Sequence, residues 1–263
     1  MTQHDIPLLL AFADTLADAA RGAILPYFRA PHRVDNKRND IFDPVTDADR
    51  ASEAAMRELI ERAFPDHTIL GEEFGGTFVT SGYQWILDPI DGTRAFVAGL
   101  PTWGVLIGLY HDGEPLIGVM DQPYLDERYR GFPGGATSTI RGETEHLRTS
   151  PCAALGEAIL STTDAELFRT EEIAAFARAR SAAKVMRYGF DCYAYCMVAS
   201  GFMDCVIESG LKVFDIAALI PILTGAGGGV CAWDGGSAAL GGRVLAYGDR
   251  RVRDEALARL SGA

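Results

Sequence analysis

Residues 85–96 read WILDPIDGTRAF. The apolar run Trp85-Ile-Leu ends at Asp88, a proline follows, and a second carboxylate, Asp91, stands directly before Gly92-Thr93. Pro89 biases Asp88 toward an extended backbone and Gly92 permits a sharp reversal, so this turn can aim both carboxylates and the Ile90 carbonyl at one spot. Converging carboxylates repel unless cations lie between them. Hard oxygen donors without Cys or His suit Mg²⁺ or Mn²⁺ rather than zinc. Beyond the turn, Gly92 and Thr93 offer backbone N–H groups at a helix start, where unpaired donors and the helix dipole favour a phosphate. The stretch reads as a cation pair beside an anion cradle; the plainer alternative is a helix N-cap in which Asp91 satisfies amides.

Outward from this turn, periodicity supplies the frame. Leu8 to Phe28 and Ala48 to Phe64 carry apolar residues at helical spacing, with Asp47 or Asp49 near the second start and Pro65 beyond its end. The pattern predicts a strand over Trp85–Asp88 and a hairpin, Trp103–Tyr110 and Leu116–Met120, turning at His111-Asp-Gly113-Glu. A Gly/Pro-rich passage follows at 131–143. After it, strands at Glu157–Ser161, Ala183–Arg187 and Phe202–Ile207 alternate with helices at Glu171–Ala179, Cys192–Ser200 and about Asp215–Gly225, which implies a second α/β half. The expected class is α/β, with an N-terminal α+β unit over 1–150 carrying the main motifs and an α/β unit over 151–263 completing the site.

Composition narrows the partners. The chain has 263 residues, 48% of them hydrophobic, enough for a sizeable core, and a formal net charge of −12. That charge works against polyanionic backbones, so nucleic acid is not expected as a partner. Apolar stretches such as Val105 to Tyr110 are far shorter than the ~20 residues of a membrane span. The opening MTQHDIPLLLAFADTLADAA lacks a cationic leader and repeats Asp14 and Asp18 as an amphipathic helix would, so a secretory signal is not expected. The five cysteines, Cys152, Cys192, Cys196, Cys205 and Cys231, make no paired knuckle. Together these place the protein in the cytoplasm.

Further acids stand where predicted strands meet loops, the usual address of α/β sites. Glu72 follows Thr68-Ile-Leu70-Gly71, and the passage Glu208-Ser-Gly-Leu-Lys-Val-Phe-Asp215 joins a strand to an apolar helix. Each, taken singly, is as readily a solvated loop acid. Asp43-Pro-Val-Thr-Asp47-Ala-Asp49 is not a calcium loop, since the required glycine is missing and Ala51 takes a ligand position.

WILDPIDGTRAF matches throughout the signature W-x-x-D-P-x-D-G-T-x-x-F of the inositol monophosphatase-like, Mg²⁺-dependent phosphatases. Phe214-Asp215-Ile-Ala-Ala218, with Gly227-Gly228 downstream, resembles the second signature, W-D-x-A-A…G-G, with phenylalanine for the customary tryptophan. The Gly-Glu-Glu at 71–73 and the Asp-Pro-Val-Thr-x-x-Asp at 43–49 also fit, so the resemblance runs from about Lys37 to Gly229. It implies a layered αβαβα sandwich, a homodimer, and two or three Mg²⁺ ions, with Mn²⁺ a possible substitute, held by Glu72, Asp88, Asp91, Asp215 and the Ile90 carbonyl. By the same resemblance Gly92 and Thr93 hold the phosphate, Thr93 and Asp49 orient the attacking water with Glu72 assisting, and Asp43 supports the site. Lithium inhibition is a further expectation of the family. Water activated by one metal would attack in line while a second metal stabilises the departing alkoxide. A phosphoenzyme on an aspartate is the weaker reading, because the DxDxT order of that chemistry is absent.

The passages Asp191-Cys-Tyr-Ala-Tyr195 and Val206-Ile-Glu-Ser-Gly-Leu-Lys212 resemble the branch of this family that dephosphorylates L-histidinol phosphate. Histidinol carries an ammonium and an imidazole, so its site should present acids away from the metals; Asp191 and Glu208 are the candidates, and Asp91 at the metals also contacts the substrate. Val213-Phe214 replaces the Pro-Tyr common in that branch. An inositol phosphatase or another small-ester phosphatase is the alternative, and a metal- or phosphate-binding regulatory protein is the non-enzymatic one. Gly225-Ala-Gly227-Gly-Gly229-Val230 fails the dinucleotide pattern and reads as a helix stop. His4, His32, His67, His111 and His146 share no ligand spacing, and Cys192 with Cys196 read as small packing residues. Lys212 and Arg94 stay open between surface charges and, respectively, a salt bridge and a phosphate holder.

Overall fold

The computed structural model describes residues 5–30, 34–36 and 44–262. Asp43, the start of the resemblance at Lys37, His4 and His32 lie outside them. The chain opens with α1 (Ile6–Ile24), the short antiparallel pair β1 (Val34–Asn36) and β2 (Pro44–Thr46), and α2 (Asp47–Ala63). Asp5 caps α1 by accepting from the Leu8 amide at 3.1 Å. The buried face of α1 is apolar throughout: Leu9, Ala13, Leu16, Ala17, Ala20 and Ile24. That of α2 is split, because Met56 and Ile60 enter the core while Asp49, Ser52 and Glu53, one to two turns earlier, are also buried. A helix hiding carboxylates at its start must turn them toward polar partners.

The first sheet follows: β3 (Thr68–Gly71), β4 (Tyr83–Asp91), the single turn α3 (Thr93–Val97), then β5 (Gly104–His111), β6 (Glu114–Gln122), β7 (Glu127–Phe132), β8 (Gly135–Ile140) and β9 (Glu143–His146). The seven strands lie in chain order, with β3 parallel to β4 and the rest antiparallel. The expected hairpin is present, with Asp112 and Gly113 at positive φ between β5 and β6. The Gly/Pro-rich passage at 131–143 supplies two tight turns and all of β8. Its alternating small polar residues lacked the apolar pattern by which the other strands announce themselves.

The second sheet is built from β10 (Ile159–Thr162), α4 (Thr170–Ala182), β11 (Val185–Tyr188), α5 (Asp191–Ala199), β12 (Cys205–Leu211), α6 (Val213–Ala217), α7 (Leu219–Gly225), β13 (Gly229–Ala232), β14 (Gly242–Tyr247) and α8 (Arg250–Ser261). Its order is β11-β10-β12-β14-β13. The helix expected over Asp215–Gly225 is two: Pro221 cannot sit in the interior of one continuous helix without striking the Ala217 carbonyl, so the chain restarts at Leu219. Gly225 ends α7 and the glycines after it turn into β13, as a helix stop requires.

These elements stack as five layers. α1 and α2 cover one face of the first sheet, joining Trp85, Leu87, Val105, Ile107 and Leu109 in one core. α5 and α7 lie between the sheets, where Leu106, Met120 and Tyr129 meet Cys192, Cys196, Ile222 and Val206. α4 and α8 cover the outer face of the second sheet with Phe168, Phe176, Leu160 and Leu245. The αβαβα sandwich expected from the resemblance is the fold.

A cross-strand glycine row sets how closely the middle layer approaches. Gly108 pairs with Gly118 and Gly118 with Gly131 across β5, β6 and β7. A side chain at Gly118 would run into the Ala218 carbonyl, one at Gly131 into the backbone of Pro221 and Ile222, and one at Gly108 would sit 2.8 Å from the Ala217 methyl. The row lets α6 and α7 rest directly on strand backbone. Asp215, in α6, reaches the end of β4 for that reason.

Candidate active site

β4 runs past Asp88 to Asp91, further than the apolar pattern predicts, and the extension contains an irregularity. Asp88 pairs with Leu106 but Asp91 with Gly104, so three steps on β4 answer two on β5. Residues three apart in a regular strand face opposite sides; this bulge returns Asp91 to the side of Asp88. Asp215 arrives from α6, and oxygens of Asp88, Asp91 and Asp215 all lie within 4.8 Å of one another. The Ile90 amide donates to Asp88 Oδ1 at 3.1 Å, and the Thr93 hydroxyl donates to the Ile90 carbonyl at 3.1 Å, which fixes the tip of the turn.

Gly92 is the left-handed N-cap of α3 at φ +86°. Only glycine fits there twice over, since a side chain would also start 3.1 Å from Asp191. Asp191 itself opens α5 at φ +44°, a left-handed conformation that an aspartate tolerates better than most residues. That strained first residue aims the next amide outward, and Cys192 N–H donates to Asp91 Oδ2 at 2.7 Å. Cys192 and Cys196 are buried packing side chains, as expected. The backbone of Cys192, however, belongs to the site.

Two further acids join from α2 and the loop after β3. Asp49 is buried and Glu72 hangs from a turn whose amide is tied to the Leu87 carbonyl at 3.1 Å. Burial, then repulsion from Glu72, Asp91, Asp215 and Asp49, pushes the Asp88 carboxyl well above the usual carboxylate range. Burial and the charges of Asp191 and Asp215 do the same to Asp91, against the opposing pull of the Cys192 amide. So many acids around one buried point stay ionised together only beside compensating positive charge. The donors are all carboxylate or carbonyl oxygens, the set that suits a hard divalent cation.

Glu208 was placed by sequence at a strand end. The structure instead buries it inside β12, which continues to Leu211 through a register shift at Ser209-Gly210, with Gly210 at φ +80°. The glycine allows the strand to bend and resume its pairing with β14. Glu208 Oε1 accepts the Thr163 amide at 2.7 Å, and Oε2 accepts the Thr162 hydroxyl at 3.4 Å. Thr163, directly after β10, also stands near Asp191 and favours its ionised form. Burial pushes Glu208 up to about 7 and Asp191 up to about 6, the latter opposed by Arg94.

Asp91, Asp215, Asp191, Glu208 and Thr163 line one cleft of about 380 Å³. Tyr195, one helical turn after Asp191, lines it too; its buried hydroxyl has no hydrogen-bond partner among the described residues. Sequence reading assigned no role to Thr163 or Tyr195, although Tyr195 closes the passage Asp191-Cys-Tyr-Ala-Tyr195 that resembles the phosphatase branch. Arg94 lies 3.5 Å from Asp164 and faces Asp191, while the Lys212 ammonium stands 5.0 Å from the centre of the Phe214 ring. His67, in the turn before β3, accepts the Trp85 indole N–H at 3.1 Å, and His111, the last residue of β5, sits beside Asp112.

The model of the inositol monophosphatase family matches residues 7–262. The chain belongs to this family. Among its relatives, Bifunctional phosphatase IMPL2, chloroplastic, of Arabidopsis thaliana is 40% identical over 99% of this chain and 77% of its own. The Histidinol-phosphatase of Mycobacterium tuberculosis is 37% identical over 99% of both chains. A solved inositol monophosphatase from Zymomonas mobilis superposes with a TM-score of 0.87 at 38% identity, covering 98% of this chain and all of that one. This phosphatase therefore belongs to a family that acts on small phosphorylated substrates, and it carries an acidic group able to hold a metal.

Proposed function

We propose that the protein is a Mg²⁺-dependent phosphomonoesterase that hydrolyses L-histidinol phosphate to L-histidinol and phosphate, in histidine biosynthesis. The observation that carries the substrate is the second pair of acids: Asp191 and Glu208 line the same cleft as Asp91 and Asp215, and the Thr163 amide donates to Glu208. A leaving group bearing an ammonium and an imidazole matches that wall, because a ligand cation restores the charge that burial opposes on both carboxylates. The Mycobacterium relative named for this activity supports the same reading. The Zymomonas structure favours the alternative, an inositol phosphate as substrate.

In this reading Glu72, Asp88, Asp91, Asp215 and the Ile90 carbonyl hold Mg²⁺, with Mn²⁺ able to substitute. When bound, the cations supply charge that acidifies a water and steadies the departing alkoxide. Gly92 and Thr93 hold the phosphate through the amides at the start of α3. Asp49 and Thr93 orient the water, with Glu72 assisting removal of its proton; the water oxygen bonds to phosphorus as the ester oxygen leaves and takes up a proton. Asp191 and Glu208 position histidinol, and Asp91 contributes to both sides of the cleft. A homodimer in the cytoplasm completes the proposal.

Phosphate release with Mg²⁺ from a panel of L-histidinol phosphate, inositol 1-phosphate, fructose 1,6-bisphosphate and adenosine 3′,5′-bisphosphate tests it. Histidinol phosphate should have the highest kcat/KM, and chelation should abolish turnover. Equal or faster turnover of any other ester defeats the substrate assignment.

A further inference from the structure

We infer that Glu53 and Arg57 are positioning residues that hold the turn carrying Glu72 against Asp88. The inference rests on reading Glu72 as part of the cation-holding set. Glu53 is fully buried on α2, one helical turn after Asp49, so a single helix face serves the site with two carboxylates. Neither Glu53 oxygen points at the cluster. Oε2 accepts the Glu73 amide at 2.7 Å and Oε1 accepts the Phe74 amide at 3.2 Å. Arg57 donates Nε to Glu53 Oε1 at 2.8 Å and Nη2 to the Gly75 carbonyl at 2.5 Å.

These contacts close around the tight loop 71–75, whose ends, Gly71 and Gly75, exchange two backbone hydrogen bonds of 3.1 Å. Gly71 must lack a side chain, because one would occupy the place of the Glu53 carboxylate. The loop is thus bracketed by charge-assisted bonds on the α2 side and by the Glu72 amide's bond to Leu87 on the β4 side. Glu72 sits between the brackets. A residue that only filled space here could be apolar. A buried carboxylate whose oxygens both take backbone amides specifies where the backbone goes.

Removing Glu53 alone is ambiguous, since loss of any nearby negative charge weakens cation binding. Arg57 separates the two effects. Arg57→Gln removes a positive charge: on charge alone it tightens cation binding, whereas a lost tether weakens it. Mn²⁺ binding to the purified protein, followed by electron paramagnetic resonance at a temperature where circular dichroism shows each variant folded, is the readout. For R57Q the expected result is an increase in the Mn²⁺ Kd of about 10- to 100-fold, the usual effect of outer partners of metal ligands. Glu53→Gln should weaken binding in the same range. Adding Glu72→Gln to R57Q should cost little more, because both changes remove the same contribution. Unchanged or tighter Mn²⁺ binding by R57Q, or full additivity with E72Q, overturns the inference. Should R57Q fail to fold, Arg57→Lys, which keeps the charge but cannot bridge Glu53 and Gly75 together, takes its place with the same expected direction. A wild-type protein that binds no Mn²⁺ would instead strike down the cation reading of Glu72 on which the inference rests.

Discussion

The two walls of the cleft are assembled differently. The cation wall is mostly local: Asp88, Ile90, Asp91, Gly92 and Thr93 belong to one turn, and a single bulge brings its carboxylates together. The second wall is distributed, with Thr163 directly after β10, Asp191 and Tyr195 from α5 and Glu208 from β12 meeting only when the second sheet forms. A local wall changes as a unit and tends to keep its chemistry. A distributed one can exchange one acid at a time, which suits a surface that selects the leaving group.

Breaking the local wall should have the largest effect. Asp91→Asn replaces an anionic donor at nearly constant volume; kcat/KM should fall by roughly 10³-fold or more on every ester tried, a loss of about 4 kcal/mol in transition-state stabilisation. The metal-free protein should melt no lower than wild type, because the amide relieves repulsion around Asp88. Steady-state kinetics and a melting curve read both, and near-wild-type turnover would contradict the role given to Asp91. Asp191→Asn, on the distributed wall, should be selective. It should cost about 10- to 100-fold in kcat/KM for L-histidinol phosphate, as loss of one charged hydrogen bond does, and no more than about threefold for an uncharged-alcohol ester. Equal losses on both substrates would place Asp191 in the general machinery.

The local wall was legible because its residues are adjacent and its chemistry is written in a dozen letters. Asp215 was singled out in a strand-to-helix passage, but its meeting with Asp88 was legible only through resemblance, since nothing local says that α6 packs onto β4. What allows that packing, the row Gly108, Gly118 and Gly131, has no signature along the chain; it appears once hairpin register aligns three glycines from separate strands. Glu208 was found but misplaced, because Ser209-Gly210 reads as the end of a strand and proves to be a bulge within it. Glu53 was missed altogether. In an amphipathic pattern a lone glutamate on a helix counts as solvated, and only the turn at 71–75 folding over α2 buries it.

pH offers a finer probe of the distributed wall. Burial raises Glu208 from 4.5 to about 7. Between these values the unfolded chain releases a proton that the folded one retains, so the wild-type protein loses stability as pH rises through that window and levels off above it. Glu208→Gln keeps an acceptor for the Thr163 amide and has no proton to lose. Relative to wild type, the ligand-free variant should therefore gain up to about 3 kcal/mol between pH 4.5 and pH 8. Denaturant melts at the two pH values measure the difference, and a pH-independent difference would mean that Glu208 is ionised in the fold at neutral pH.

Tyr195 gives the smallest expected change and the sharpest separation of stability from use. A buried hydroxyl without a partner costs about 1–3 kcal/mol, so Tyr195→Phe should raise the melting temperature of the ligand-free protein by a few degrees. Burial keeps the phenol protonated, so in the cleft it can donate to a bound leaving group. The same substitution should then raise KM for L-histidinol phosphate several-fold while kcat changes little, because Glu208 is the charge that acts most strongly on the phenol. A Tyr195→Phe protein that is more stable and binds substrate equally well would make the hydroxyl a bystander and leave Asp191 and Glu208 as the whole of the selective wall.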